Sequence, residues 1–309
     1  MKPEHHDVVG FPHFFSETIR VYRHTSVVIL NTVTGNVEQF IKRNFRVRLV
    51  TNTVFPGAYE YDLALIENDR FLLTNVDLRR IQQLAEAMDF QAGGTPTETR
   101  GGVSLPGRLW AFVSEARQLP LYDRTPYHRA SVNCFLWQLC KYYLQVNSGF
   151  TPSLPLAEAV RFYVREVRRT FRSNREVNES HLRIDRDALD DIAARILIVD
   201  IPPVSGYRKL PLYLHAREVL VNENFRLESV LPADYFLGSP FSSQHAYLEW
   251  LQELLSHCRH MEFWLMILRD PGLLPELNGL LAGMGRRGKV FSRPIAGGFT
   301  FDYLLAQEG

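Results

Sequence analysis

Arg161, Arg165, Arg168, Arg169 and Arg172 recur at a spacing that gathers them, at about 100° per residue, onto roughly one third of a helix circumference. Val160, Tyr163, Val164, Val167 and Phe171 hold the opposite side, and Arg175, Arg183 and Arg186 carry the basic run beyond the helix end. Planar, forked guanidinium groups in a row suit phosphate and carboxylate oxygens. The stripe is therefore the expected contact for a nucleic-acid backbone or an acidic protein partner. Glu158, Glu166 and Glu176 lie close by, so a solvated, ion-paired face is the competing reading. No stretch has the pattern of a helix-turn-helix, a zinc finger or an RNP-type aromatic motif, and base-specific readout is not expected.

Gly283, Gly288 and Lys289 have the spacing of a phosphate-cradling loop. Val290, however, stands where Ser or Thr would hold Mg²⁺, and an apolar helical stretch precedes the loop instead of a strand. Arg286, Arg287, Lys289 and Arg293 accordingly read as a basic turn, a second patch for an anionic partner. The run ILIVD ends in Asp200, an acidic strand end followed by Pro202 and Pro203. His257, Cys258 and His260, with His245 upstream, lack the second ligand pair of a closed zinc site; no metal and no other cofactor is expected. No GxSxG, SxxK or HExxH pattern occurs. Cys134 falls in an apolar stretch that would raise its thiol pKa, and Glu60, Asp62 and Glu67 lack the lysine of a nuclease-type acidic pair. No complete catalytic set emerges from these patterns.

The elements that must carry these residues suggest an α+β chain in two lobes, cut at a proline-marked break near residue 151 into an N-terminal α+β lobe (1–150) and an Arg-rich, mainly helical lobe (151–309). Runs at 26–33, 45–55 and 61–74 are rich in β-branched and aromatic residues and read as an antiparallel sheet, with turns at Thr34-Gly35-Asn36 and Asn68-Asp69. Asn75 or Asp77 caps a helix to about Met88. Residues 91–107, with five glycines and two prolines among them, read as a long exposed loop. Helices are expected at 110–117, at 132–146 (apolar on nearly every side and so central), at 156–173, at 187–195 and from Ser242 or Ser243 to Cys258, with two more between 260 and 281. Strand-like segments fall at 196–199, 210–214 and 218–230, and a hairpin at 289–305 closes the pattern.

Composition supplies the frame. At 309 residues, 46% hydrophobic and 22% charged, the chain can bury a sizeable interior. Its net charge of +1 excludes a global field toward nucleic acid or membrane. Of the 35 basic residues only Lys2, Lys42, Lys141, Lys209 and Lys289 are lysine, a bias that a G+C-rich genome, bacterial or viral, would also produce. Three cysteines imply no disulfide framework, no run of about 18 apolar residues suggests a membrane span, and a cytoplasmic or nuclear setting is expected. Function is then expected to be non-enzymatic: a structural or assembly protein, viral in one reading, that contacts other proteins in a larger assembly. The alternatives are sequence-nonspecific nucleic-acid binding through the stripe, and an enzyme of a class the motifs do not reveal.

Overall fold

The computed structural model describes residues 26–31, 35–89, 96–144, 154–170, 173–201, 210, 212–227, 243–268, 271–294 and 300–308. The class is α+β. The chain forms two compact units, and the expected cut at residue 151 falls across this grouping because both units draw on both halves. A helical unit takes the described residues within Pro56–Ser173 and Leu210–Arg226, and a sheet unit those within His6–Phe55, Asn174–Lys209 and Leu227–Gly309.

The sheet unit is built on seven strands: β1 (Ser26–Leu30), β2 (Arg48–Thr53), β5 (Glu179–Leu182), β6 (Ile196–Ile201), β7 (Phe263–Leu268), β8 (Arg286–Pro294) and β9 (Thr300–Glu308). Across the sheet they run β5-β2-β1-β6-β7-β9-β8. The first five in this order are parallel; β9 lies antiparallel to β7, and β8 antiparallel to β9. A parallel sheet is covered on both faces, so its strands read as unbroken apolar runs. SVVIL, ILIVDI and FWLMIL are such runs, and β6 and β7 are buried throughout. One face carries Val28, Leu30, Val50, Leu197, Val199, Trp264, Met266 and Leu304, packed with residues of α8 (Gln244–His257) and α9 (Leu274–Gly283).

The antiparallel reading of the first strands is corrected here. α1 (Asn36–Asn44) separates β1 from β2, which pair in parallel register from Ser26↔Arg48 to Leu30↔Asn52. Gly35, in the left-handed region at φ 75°, is the N-cap of that helix and not the corner of a hairpin. The run at 61–74 is also not a strand: α2 (Pro56–Asp62) passes into a π-helical turn, Leu63–Glu67. A short apolar run inside a buried helix cannot be told from a strand by periodicity alone, and the same ambiguity explains two further reversals. The segments 210–214 and 218–230 contain α7 (Leu212–Val221), and the first of the two short helices expected at 260–281 is β7. The helix expected at 187–195 is reduced to a 3₁₀ turn, Asp187–Leu189. The hairpin expected at 289–305 is present as β8 and β9.

In the helical unit, α5 (Pro126–Leu144) packs against α2, α4 (Gly107–Gln118), α6 (Leu156–Thr170) and α7. Its all-round apolar surface marks it as central. Residues 91–107 hold a hairpin where a loop was expected, β3 (Thr97–Arg100) and β4 (Val103–Pro106). Gly101 and Gly102, at φ 51° and 79°, make its two-residue turn. α3 (Asn75–Ala87) starts one residue before the expected caps: the Thr74 side chain accepts from Asp77 N–H, and the Asp77 carboxylate from Thr74 N–H.

Two charged devices hold this unit. Arg217 and Glu218, neighbours on α7, are 3% and 0% exposed, with Arg217 Nη2 3.0 Å from Glu218 Oε1. Glu218 Oε2 also accepts from Gly57 N–H at 2.6 Å, pinning the start of α2 to α7. A Cβ at position 57 would come within 2.8 Å of the Arg217 carbonyl, so only glycine allows the approach. Glu218→Ala is expected to destabilise the protein by about 3–5 kcal/mol in a urea titration, because it leaves a buried guanidinium without its counter-charge.

The second device is Asp77, 1% exposed. Burial pushes its carboxyl up, but hydrogen bonds from Arg124 and from Thr74 outweigh this and hold it at about 2, below the usual 3.8. A depressed folded pKa gives stability that is present above the unfolded value and lost as pH falls through the folded one. About 2 kcal/mol should accordingly disappear between pH 4 and pH 2, and Asp77→Asn should remove that acid limb of the stability profile.

Candidate functional site

The two ends of the parallel strands differ in chemistry. At the amino ends the polar groups are engaged in holding strands together. Arg46 pairs with Glu176 and Arg48 with Glu179. Asn174 donates to the Val47 carbonyl and Asn178 accepts from Leu49 N–H. Arg195 pairs with Glu262, and Ser26 Oγ donates to the Ala193 carbonyl. This edge is stitched.

At the carboxyl ends buried polar groups gather around the place where strand order reverses. From β1 the chain moves outward to β2 and β5 on one side, and then to β6 and β7 on the other. In open α/β sheets the crevice at such a switch point is where ligands bind. Asn31, which directly follows β1, is fully buried and left-handed at φ 62°, a conformation that asparagine adopts more readily than other non-glycine residues. Its Nδ2 donates to the backbone carbonyl of Asp200, 3.3 Å away near the end of β6, so this bond ties together the two strand ends that frame the switch point. Asp200 itself is 8% exposed. At the end of β2, Asn52 is 1% exposed; its Oδ1 accepts from Ile184 N–H at 2.8 Å, and its Nδ2 has no hydrogen-bond partner among the described residues. Arg183 N–H donates to the Thr53 carbonyl, closing that end of β2 against β5. Asn31, Asn52 and Asp200 thus form the candidate site. Of these, sequence patterns singled out only Asp200. The signal that would have found Asn31 is a polar amide directly after an apolar strand, whereas Asn52 lies among the polar residues of RLVTNT and gives no such contrast.

The expected anionic-partner residues fall in different places. Arg161 and Arg165 are exposed on α6, Arg161 3.6 Å from Glu86. The side chains of Arg168, Arg169 and Arg172 lie outside the described residues. Arg175 and Arg183 are exposed in the sheet unit, both left-handed at φ 65°, while Arg186 pairs with Glu253 at 2.7 Å. Arg287 and Lys289 are exposed on β8. Arg286 is reassigned: 5% exposed, it lies 3.7 Å over the Trp264 ring and donates to the carbonyls of Arg259, Met261 and Glu262. That guanidinium locks the start of β8 to the turn before β7 and is part of the packing. The side chains of Arg161 and Arg165 belong to the helical unit, and those from Arg175 onward to the sheet unit.

The histidines of the HCRH run also have structural partners, His257 with Asp190 at 2.9 Å and His260 with the Ile192 carbonyl. Among the described residues no group of three metal-ligating side chains converges, and no helix is long and apolar enough to cross a membrane. Burial pushes the thiols of Cys134, Cys140 and Cys258 up to about 12. No family model and no curated protein matches the chain. Since the thiolate is the reactive form, the native protein at pH 8 should leave a disulfide reagent such as DTNB unreacted over minutes, and the denatured chain should release three equivalents. Rapid release from the native state would restore a cysteine to the list of nucleophiles.

Proposed function

We propose that the sheet unit binds a nucleoside cofactor at the carboxyl ends of β1, β2 and β6, and that the protein is a group-transfer enzyme. The observation that carries this is the reversal of strand order between β1 and β6, with Asn31, Asn52 and Asp200 buried at that edge. A ribose needs hydrogen-bonding groups at the end of the second strand, and the Asn52 amide stands there.

The first turn narrows the ligand. A dinucleotide site uses a glycine-rich turn and an open helix N-terminus for its pyrophosphate. Here the segment from Asn31 to Asn36 has Gly35 alone, and Glu38 places a carboxylate in the first turn of α1. Negative charge already occupies the favourable end of the helix dipole. A nucleoside that carries a cation in place of phosphate fits this better, and S-adenosylmethionine is such a molecule. The sheet order, with one reversed strand slotted between the last two parallel positions, is also one on which S-adenosylmethionine-dependent methyltransferases are built; this supports the reading by analogy of fold alone.

A second reading, a nucleic-acid partner held through exposed arginines, is favoured by Arg161 and Arg165, and is compatible with the first if nucleic acid is the acceptor. A protein-scaffold role, with other proteins as partners in a larger assembly, has no comparable feature in its favour among the described residues.

Calorimetric or thermal-shift titration tests the cofactor. S-adenosylmethionine and its demethylated product should each stabilise the protein, by about 2.7 kcal/mol at a hundred times the dissociation constant, while NAD and ATP should not. Asp200→Ala should weaken binding about tenfold or more. Absence of binding by the first two, or preference for a phosphate-bearing ligand, would overturn the assignment.

A further inference from the structure

The helical unit presents an aromatic surface that the proposed cofactor site does not use. Phe71 is 40% exposed and stacks on Tyr127, with ring centroids 5.1 Å apart and planes 4° from parallel. The stack is braced from beneath: the Tyr127 hydroxyl donates to Glu67 Oε1 at 2.6 Å, and the His128 ring lies 6.1 Å from Phe71. The backbone that carries Phe71 is fixed by Asn68, itself 1% exposed, directly after the π-helical turn. Asn68 Oδ1 accepts from the N–H groups of Arg70 and Phe71, and its Nδ2 donates to the Phe71 carbonyl at 2.7 Å. An exposed phenylalanine held this firmly has its ordering entropy already spent.

The surroundings identify what the surface suits. Leu72 and Val76 are 39% and 48% exposed. Arg79 and Arg80 are exposed three and four residues beyond Val76 on α3, on the same helix face. Arg70, 80% exposed, stands beside Phe71 in the chain, 3.4 Å from Asp69. The other acids of the stretch are engaged by hydrogen bonds, Glu67 to Tyr127 and Asp77 to Arg124 and Thr74. Apolar and aromatic area beside the exposed guanidinium groups of Arg79 and Arg80 matches the chemistry of unpaired nucleic acid: bases stack on the ring while arginines meet the phosphates. An acidic helix would use the charges but has no need of an open ring face.

We infer that Phe71, backed by Tyr127 and followed by Arg79 and Arg80 on α3, is a stacking platform for an unpaired base of single-stranded nucleic acid. This rests on the nucleic-acid reading above and is independent of the cofactor. It places sequence-nonspecific contact at residues 70–80, a region that the arginine pattern at 161–186 does not include.

Fluorescence anisotropy on the full chain, with a labelled thymidine oligonucleotide of about 12 nucleotides and a duplex of equal length at low salt, tests it. The single strand should bind more tightly than the duplex. Phe71→Ala should weaken single-strand binding about tenfold, Phe71→Trp should keep it, and Arg79→Glu with Arg80→Glu should abolish it. Single-strand affinity unchanged in Phe71→Ala, equal affinity for the duplex, or no binding at low salt would each overturn the inference. An unchanged urea midpoint shows that a variant is folded. The S-adenosylmethionine titration on the same variants separates the two claims, since intact cofactor binding without oligonucleotide binding sinks only this one.

Discussion

The central constraint is that β1 has parallel partners on both sides. β2 reaches one side through α1, and β6 returns to the other from far along the chain. With both edges of β1 taken, the strand has no free backbone groups, and its side chains must be apolar on both faces. At its carboxyl end Asn31 is bonded to the Asp200 carbonyl, so the strand ends on either side of the reversal are tied together. The amino edge is the complement: strands are held there by Arg48, Asn174, Asn178 and Arg286, while buried asparagine and aspartate groups gather at the opposite edge.

The same constraint explains what could be read from residues alone. Elements with strong local signals were legible: the helix after Ser243, whose hydroxyl accepts from Ala246 N–H, the apolar central helix, and the terminal hairpin. Orientation was not legible, because parallel and antiparallel strands differ in what lies between them and not in their own composition. A short apolar run such as Leu63–Ile66 is buried in either state, and tertiary packing decided for helix there and at Leu212–Val221. The candidate site was only partly visible. Asp200 stands out as an acid ending an apolar run, whereas Asn31 and Asn52 gain meaning only when β1, β2 and β6 are neighbours. Arg286 shows the converse, a charge in a basic cluster that three backbone carbonyls and an indole ring claim for the fold.

The two units also differ in how they use buried charge. In the helical unit the pairs Arg217–Glu218 and Arg124–Asp77 fix helix starts, where backbone N–H groups lack partners of their own. In the sheet unit Arg286 and Asp200 are buried at strand margins, and Glu38 and Lys42 are buried on α1. Each unit thereby solves a local problem of unsatisfied backbone, and neither solution is visible from net charge.

The bond from Asn31 to Asp200 spans 169 residues of chain. During synthesis β1 emerges before β2, yet its second neighbour is made only after the residues of α2 to α6 have left the ribosome. Domains tend to fold as they appear, and long-range parallel pairing is slow. The helices α2 to α6 therefore have the opportunity to begin packing around α5 while β1 and β2 wait with one side open, and α7, which completes the helical unit, follows β6 in the chain. On this order of events the nascent chain carries β1 with one apolar edge open until β6 appears, and that edge is one a chaperone would have reason to cover.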